Sequence, residues 1–217
     1  MTWTKRLFDL GAALCFAALF WPVLLILIAL LWVTEGRPIF YIAERMQTPT
    51  RGFGLVKLRT MRPSPEAAGG ATAGVTASVR DGVTGGDKSA RMSRLHRFLR
   101  RSRADELPQL WNVVRGDMSL VGPRPPLRAY VEAFPDLYAK VLRSRPGVTG
   151  LASLRFHAQE ERLLAACTTA EQTDAVYRHR CVPRKAQLDL IYQRNRSLCW
   201  DLILIAETAT RPFRHRG

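Results

Sequence analysis

The apolar stretch "LGAALCFAALFWPVLLILIALLWV", residues 10–33, determines how this chain is organised. It contains no charged residue, and about 20 apolar residues suffice for a helix to cross the hydrocarbon core of a bilayer. A cleavable signal peptide would also begin with basic residues such as Lys5 and Arg6, but its apolar run is shorter. The following "TEGRPIF" offers no small-residue cleavage site. The sequence therefore predicts a helix that enters the membrane.

Pro22 lies near the middle of this run and predicts a break in the helix. Proline removes one helical hydrogen bond and disfavours a straight path, although membrane helices containing proline often still cross the bilayer. Lys5 and Arg6 favour a cytoplasmic location for the N-terminal flank, and the chain beyond Ile39 carries most of the net charge of +15. A re-entrant helix that returns to the cytoplasmic face and a simple span both fit these residues.

Length and charge limit what the rest of the chain can be. A chain of 217 residues suits one modest domain plus an accessory element. A net charge of +15 indicates an anionic partner, which could be nucleic acid, a lipid surface or a phosphorylated small molecule. The four cysteines show no C-x-x-C spacing, so neither a zinc site nor a disulfide framework is indicated.

Beyond the membrane segment, local patterns predict a small β element followed mainly by helices. Residues 38–46 and 52–61 have the composition of short strands, whereas residues 63–90 are rich in glycine and poor in large apolar side chains, which predicts a flexible surface loop. Helical spacing of apolar residues follows in four regions. These are residues 95–99, 107–114, 135–144 and 158–181. Residues 184–210 would pack on the core or lie on the bilayer surface.

The stretch "RSRADELPQLW", residues 101–111, places two adjacent carboxylates between a run of arginines and a helix start. An aspartate just before Pro108 would ordinarily cap free amide groups of the helix. The alternative is a catalytic role for the pair, because the neighbouring arginines would keep the carboxylates ionised and would attract a polyanionic substrate. Asp105 and Glu106 could then perform covalent chemistry if a divalent cation screened the mutual repulsion.

Further basic residues are candidates for phosphate binding. Arg124 is held between Pro123 and Pro125, whose fixed φ angles give the arginine a preset direction. Such a fork suits bidentate phosphate contact, and a proline-rich turn that only orders the surface is the alternative. The remaining candidates are Lys57 and Arg59, at alternate positions of a predicted strand, and Arg143 and Arg145, before a Pro-Gly turn.

Several motifs together resemble the bacterial sugar transferases known as monotopic phosphoglycosyl transferases. They are "KRLFDLGAAL", the apolar run with its central proline, "KLRTM", "DELPQLWNVVRGDMSLVGPRP", "RPGVTGLA" and "NRSLCWDLILIAET", in this order. The resemblance covers nearly the whole chain except residues 63–90. It implies transfer of a sugar-1-phosphate from a UDP-sugar to a polyprenol phosphate such as undecaprenyl phosphate. UMP is released, and the assembly of a glycoconjugate or exopolysaccharide begins.

The same resemblance implies roles for individual residues. Asp105 would be the nucleophile that forms an aspartyl phosphosugar, and Glu106 would help to hold Mg²⁺. Arg100 and Arg124 would hold phosphates, Lys57 and Arg59 would support the site, and the membrane helix would be re-entrant. Trp21 departs from the family pattern, since a serine is common before the proline, and Arg103 with Ala104 replaces a small residue followed by leucine.

The resulting expectation is an α+β, mostly helical protein at the cytoplasmic face of the bacterial inner membrane. Residues 1–38 would form a membrane-embedded re-entrant helix-break-helix. Residues 39–217 would form a compact cytoplasmic catalytic domain with a small β element and amphipathic interfacial helices. The rival interpretation, a membrane-tethered module that binds nucleic acid, is disfavoured because aromatic residues do not interleave with the basic ones. No nucleic-acid partner is therefore expected. The transferred sugar and the oligomeric state, including a homodimer, stay open.

Overall fold

The computed structural model describes residues 2–61 and 92–214, with side chains through residue 210. Within these residues the protein is mostly helical, as the sequence predicted, and it contains two small sheets where the sequence predicted one small β element. The predicted glycine-rich loop at residues 63–90 lies outside the described residues. The helices are α1 Trp3–Glu35, α2 Arg94–Ser102, α3 Gln109–Arg115, α4 Arg128–Ala133, α5 Pro135–Val141, α6 Leu151–Arg155, α7 His157–Ala165, α8 Ala170–Val176, α9 Val182–Arg194 and α10 Leu198–Arg214. The strands are β1 Phe40–Met46, β2 Gly52–Leu58, β3 Ser119–Val121 and β4 Gly147–Thr149.

Helix α1 contains the whole apolar run and continues through Pro22 without leaving helical secondary structure. It ends at Gly36, which takes a positive φ of 69° and donates its backbone N–H to the Trp32 carbonyl. Among the described helices, only α1 is long and apolar enough to cross a membrane. Large apolar side chains along its middle are exposed, including Leu19 and Ile26.

Both ends of α1 are joined to the rest of the protein. Near the first end, the Arg6 guanidinium donates to the carbonyls of Val113 and Val114, at 2.6 and 2.8 Å, where α3 terminates. At the other end, Arg59 donates to the carbonyls of Glu35 and Gly36, at 2.8 and 3.1 Å. Each arginine thus donates to carbonyl groups at the end of a helix, where the regular helical hydrogen bonds stop.

A buried ion network also ties the start of α1 to the domain. The Lys5 ammonium lies 2.8 Å from an Asp201 oxygen and 3.3 Å from an Asp9 oxygen. Asp201 accepts a hydrogen bond from the Tyr192 hydroxyl at 2.6 Å, and Asp9 accepts one from the Ser119 hydroxyl at 2.7 Å. Asp9 and Asp201 are fully buried, so these contacts replace the hydration that both carboxylates lose on folding.

The two predicted short strands are present as β1 and β2, and they pair as an antiparallel hairpin with Tyr41 opposite Lys57 and Arg45 opposite Phe53. The buried Asn112 side chain attaches α3 to this hairpin. Its carbonyl oxygen accepts from the Val56 N–H at 3.0 Å, and its amide nitrogen donates to the Gly54 carbonyl at 2.8 Å. The hairpin and α3 are therefore held in one fixed arrangement.

Strands β3 and β4 pair in parallel, which the sequence analysis did not predict. Three glycines permit this close backbone pairing, because a Cβ atom on Gly122, Gly147 or Gly150 would collide with the backbone of the facing segment. Gly147 donates to the Pro123 carbonyl at 2.9 Å. The two proline-rich segments around residues 123 and 146 are therefore in backbone contact.

The C-terminal helix α10 meets both of the alternatives that its sequence left open. Leu204 is fully buried in the main core with Tyr192 and Met118. Leu202 and Ile203, on the other side of the helix, are about half exposed. One face of α10 therefore packs on the domain, and the opposite face presents apolar side chains that could lie on a bilayer surface.

Candidate active site

A sharp break between α2 and α3 positions the acidic pair. Ser93 caps the start of α2 through its side chain. Arg103 ends the helix in the left-handed conformation, with a φ of 58° that L-residues rarely adopt. A single 3₁₀ turn, Ala104–Glu106, follows. This change of direction turns Asp105 inward, so that only 7% of it is exposed.

The helix-capping interpretation of Asp105 and Glu106 is wrong. Helix α3 begins after Pro108, and neither the 3₁₀ turn nor α3 has a side-chain cap. Proline carries no N–H, so an acceptor at this position has fewer donors to bind. None of the described residues donates a hydrogen bond to the Asp105 carboxylate. Asp105 is thus left free to act on another molecule.

The charged groups around Asp105 have opposing effects on its pKa. Burial and the adjacent Glu106 carboxylate raise the pKa of Asp105 to about 6, while Lys57, Arg100 and Arg124 act in the opposite direction. Burial outweighs the three cations because a desolvated carboxylate loses the water that stabilises its charge. A cationic partner or metal ion at the site would favour the ionised form.

Glu106 is held by two guanidinium groups. Arg103 contacts one oxygen at 3.3 Å and Arg124 contacts the other at 3.2 Å. Burial alone would raise the pKa of Glu106, but Arg124 and Arg103 outweigh it and hold the pKa below the ordinary value. Glu106 is therefore a fixed anion with 14% of its side chain exposed.

Lys57 lies on β2, near Asp105 and near the two arginines Arg124 and Arg45. Burial lowers the pKa of Lys57 to about 8, with further lowering by Arg124 and Arg45. Its ammonium group lies 5.3 Å from the centre of the Tyr41 ring. Lys57 is thus a desolvated cation that gains from an additional anion nearby.

Arg100 and Arg124 reach the acidic pair from different parts of the chain. Arg100 lies on α2, and Arg124 lies in the proline-rich turn after β3. The Arg100 side chain donates to the Thr60 hydroxyl at 3.0 Å. Arg124 projects from the turn in which Pro123 and Pro125 are buried, and 46% of its side chain is exposed. Arg124 contacts Glu106 with one nitrogen, which leaves donors for a phosphate.

Other predicted site residues have different neighbours. Arg59 turns its guanidinium to the end of α1, as described above. Arg145 lies among Arg6, Asp9 and Asp117, and burial together with Arg6 lowers its pKa. Arg143 is exposed after α5. Their predicted part in substrate binding stays a prediction, and the structure does not bring Arg59 or Arg145 into the group around Asp105.

The acidic pair suits one divalent cation of the magnesium type. Within the described ranges, no group of three or more His, Cys, Asp or Glu side chains could hold a metal ion, so an all-protein metal cage is not present there. Magnesium is commonly bound through one or two carboxylates plus phosphates of a substrate and water. Asp105 and Glu106 provide that donor set, because each oxygen of Glu106 has a second lone pair beyond its arginine contact.

The sequence analysis missed a cleft that opens beside Arg124. Its walls include Arg45 from β1, three tyrosines and two charged residues of α9. These residues are Arg45, Tyr130, Tyr138, Tyr177, Lys185 and Asp189. They lie on five separate segments of the chain, and no local spacing marks any of them as part of a site.

The sequence that forms the apolar first helix and the arginine-bounded acidic pair matches a known family model. The sequence model of the family "Bacterial sugar transferase" covers residues 1–215. The chain belongs to the bacterial sugar transferase family.

Individual relatives support this assignment. The UDP-glucose:undecaprenyl-phosphate glucose-1-phosphate transferase of Caulobacter vibrioides is 39% identical over 154 residues, which are 70% of this chain and 53% of that protein. The UDP-galactose-lipid carrier transferase of Erwinia amylovora is 39% identical over 150 residues, 68% of this chain and 31% of that protein. The exopolysaccharide production protein ExoY of Rhizobium meliloti is 31% identical over 227 residues, 98% of this chain and 87% of that protein. The chain spans about half or less of the first two relatives.

Proposed function

We propose that this protein is a phosphoglycosyl transferase that moves a sugar-1-phosphate from a UDP-sugar to undecaprenyl phosphate and releases UMP. The observation that carries the proposal is Asp105. It is a buried carboxylate without a hydrogen bond from the described residues, next to Glu106 and within the field of three cations. The names of the relatives supply the substrate classes, since they refer to UDP-sugars and undecaprenyl phosphate.

The proposed reaction has two phosphoryl-transfer steps. In the first, an Asp105 oxygen attacks the phosphorus next to the sugar, the bond from that phosphorus to the bridging oxygen breaks, and UMP leaves. In the second, the phosphate oxygen of undecaprenyl phosphate attacks the same phosphorus and displaces Asp105. The product is the undecaprenyl diphosphate-linked sugar, and the carboxylate is regenerated. The covalent intermediate lets a water-soluble donor and a lipid acceptor use one site in turn.

The surrounding residues supply position and charge, which are the main requirements of phosphoryl transfer. Arg124 is oriented by its contact with Glu106 and has free donors for the phosphate oxygens. Lys57 and Arg100 add positive charge on the side of β2 and α2, where a transferring phosphoryl group spreads its negative charge. Glu106 and Asp105 would hold Mg²⁺. When bound, the ion would neutralise phosphate charge and thereby reduce its repulsion of the nucleophile.

The proposal is tested by supplying the detergent-purified protein with undecaprenyl phosphate and a panel of UDP-sugars. We expect UMP to be released with at least one donor, only when Mg²⁺ is present, and to stop when the metal is chelated. Release of UDP instead of UMP would contradict the proposal, because UDP is the product when the sugar moves without its phosphate.

The role of Glu106 is tested in the same assay. We expect Glu106→Gln to weaken the apparent affinity for Mg²⁺ by about 10- to 100-fold, the range typical when groups that orient a metal site are lost. Glu132→Gln is the matched control, because Glu132 is exposed on α4 and should leave the Mg²⁺ dependence unchanged. An unaltered Mg²⁺ titration for Glu106→Gln would remove Glu106 from the metal site.

We also propose that α1 enters the bilayer and returns to the cytoplasmic face. A helix of 33 residues is about 50 Å long when straight, which exceeds the hydrocarbon core. Arg6 near one end and Arg59 at the other nevertheless both join α1 to the catalytic domain. That shared attachment supports a re-entrant arrangement in which the continuous helix α1 bends at Pro22.

This topology predicts where introduced cysteines can be labelled. In a background with the exposed Cys15 and Cys199 and the partly exposed Cys167 changed to serine, we expect Thr4→Cys and Thr34→Cys to react with a membrane-impermeant maleimide only after cells are opened. A simple span would leave one of the two positions reactive in intact cells. Leu19→Cys is the control for the bilayer interior and should not react in either preparation.

The acceptor would reach the site from the membrane surface. Phe98 on α2 and Trp111 on α3 expose 59% and 58% of their surface, and these two helices flank the acidic pair. Exposed aromatic and apolar side chains of this kind favour the bilayer interface. They support a location of Asp105 close to the phosphate headgroup of a lipid acceptor.

A further inference from the structure

The cleft beside Arg124 has no role in the reaction as described so far. It starts where Arg124 contacts Glu106 and continues between Arg45 and the tyrosines of α4, α5 and the turn before α9. Two of its rings, Tyr130 and Tyr177, lie with centroids 4.9 Å apart. The cleft therefore adjoins the acidic pair through Arg124 and has an aromatic wall.

Arg45 is the unusual cation in this cleft. Its Nη1 atom is buried and has no hydrogen-bond partner among the described residues. Burial, followed by repulsion from Arg124, lowers the pKa of Arg45 to about 10. A buried guanidinium donor without an acceptor is costly, and an anionic ligand in the cleft would remove that cost.

The inner part of the cleft also contains polar groups that lack partners. No described residue hydrogen-bonds to the Asp189 carboxyl group or the Tyr138 hydroxyl, although both line the cleft. Burial raises the pKa of Asp189 to about 7. Lys185, in contrast, is satisfied by both oxygens of Glu160 and by Tyr177.

We propose that this cleft binds the nucleoside monophosphate half of the donor, with the phosphate on Arg45 and the base against Tyr130, Tyr138 and Tyr177. The inference rests on the proposed function and identifies the part of the substrate that leaves as UMP. Aromatic side chains stack on nucleobases whatever the base. Asp189 and Tyr138 offer hydrogen-bonding groups to the polar edge of the base.

The groups along the cleft distinguish the nucleoside from the other parts of the substrates. Arg124 acts electrostatically on both Asp105 and Arg45, and Arg45 lies near Tyr130 and Tyr177, so Arg124 links the acidic pair to Arg45 and the tyrosines. A donor held by its sugar phosphate at Asp105 has one further phosphate, followed by the nucleoside. The sugar would place neutral hydroxyl groups against Arg45, and an isoprenoid chain would leave Arg45, Asp189 and the Tyr138 hydroxyl without partners.

Binding of UMP and of uridine to the full chain, measured by isothermal titration calorimetry, tests the proposal. We expect Arg45→Gln to weaken UMP binding at least tenfold and to leave uridine binding nearly unchanged, because uridine carries no phosphate. Tyr138→Leu, which keeps an apolar side chain but removes the ring and its hydroxyl, should weaken both ligands. Arg128→Gln is the matched control, since Arg128 pairs with the exposed Glu44 at 2.6 Å and does not line the cleft.

The outcomes separate this proposal from the proposed function. UMP affinity that is unaffected by both Arg45→Gln and Tyr138→Leu would overturn the cleft assignment, even if an Asp105 phosphosugar adduct forms. Altered preference among the UDP-sugars, with unchanged UMP affinity, would place the sugar in the cleft and also overturn it. UMP binding that depends on Arg45 would support the cleft even in a protein that released no UMP from any donor. If Arg45→Gln does not fold, Tyr138→Leu still tests the base site, and Arg45→Lys, which keeps a charge but loses the guanidinium fork, should weaken UMP binding more than uridine binding.

Discussion

Replacing Asp105 with asparagine is expected to lower UMP release from the best UDP-sugar by about 10⁴-fold or more, as is typical when a covalent nucleophile is removed. An amide has the size of the carboxylate, but it cannot form the aspartyl phosphosugar. The fold should not suffer, because Asp105 is a buried charge that no described residue hydrogen-bonds. We expect the unfolding temperature of Asp105→Asn to equal or exceed that of the unmodified protein.

Intact-protein mass spectrometry provides the direct readout for this variant. Given donor without lipid, the unmodified protein should gain the mass of one phosphosugar on Asp105, and Asp105→Asn should gain none. Asp136→Asn is the control, because Asp136 is exposed in the first turn of α5 and should retain the adduct. Full turnover in Asp105→Asn, or kinetics in which UMP release requires a ternary complex with lipid, would exclude the covalent mechanism.

The largest loss of stability is expected for Lys5→Met. This change preserves the approximate volume of the side chain but leaves Asp9 and Asp201 buried without their shared cation. Removing one partner of a buried ion pair costs about 3–5 kcal/mol. For a protein of this size that corresponds to an unfolding temperature about 6–20 °C lower, measured by thermal unfolding of the detergent-purified protein.

Two further variants separate charge from packing at this network. Lys140→Met removes an exposed lysine of α5 and should shift the unfolding temperature by no more than about 1–2 °C. Adding Asp9→Asn and Asp201→Asn to Lys5→Met should restore part of the lost stability, because no uncompensated charge is then buried. A Lys5→Met protein as stable as the Lys140→Met control would show that the network contributes little.

Local patterns predicted the elements that depend on neighbouring residues. The apolar run of residues 10–33 predicted α1, and β-branched and aromatic residues bounded by glycine predicted the strands β1 and β2. Helical spacing around Leu99 and Leu110 predicted α2 and α3. The parallel pair of β3 and β4 escaped prediction. Each strand has three residues, which is too short to establish a period.

The candidate site was predictable only in part, because local sequence does not show which side chains the tertiary structure brings together. Asp105 and Glu106 were identified as a pair because they are adjacent and follow several arginines, but local preference favoured a cap. The left-handed turn at Arg103 overrides that preference by directing Asp105 inward. Arg45 and Tyr138 join the site only through tertiary packing, since they are 93 residues apart in the sequence.

The close backbone pairing of β3 and β4 limits how this protein can be engineered. Arg124 leaves the chain two residues after Gly122, and a methyl group on Gly122, Gly147 or Gly150 would meet the opposing main chain. Combinatorial libraries that aim to retarget the enzyme should therefore hold these three positions constant and diversify the tyrosines of the cleft. Substituting these glycines would shift the Arg124 guanidinium. A library that varied them would therefore contain mostly inactive variants rather than variants with new specificities.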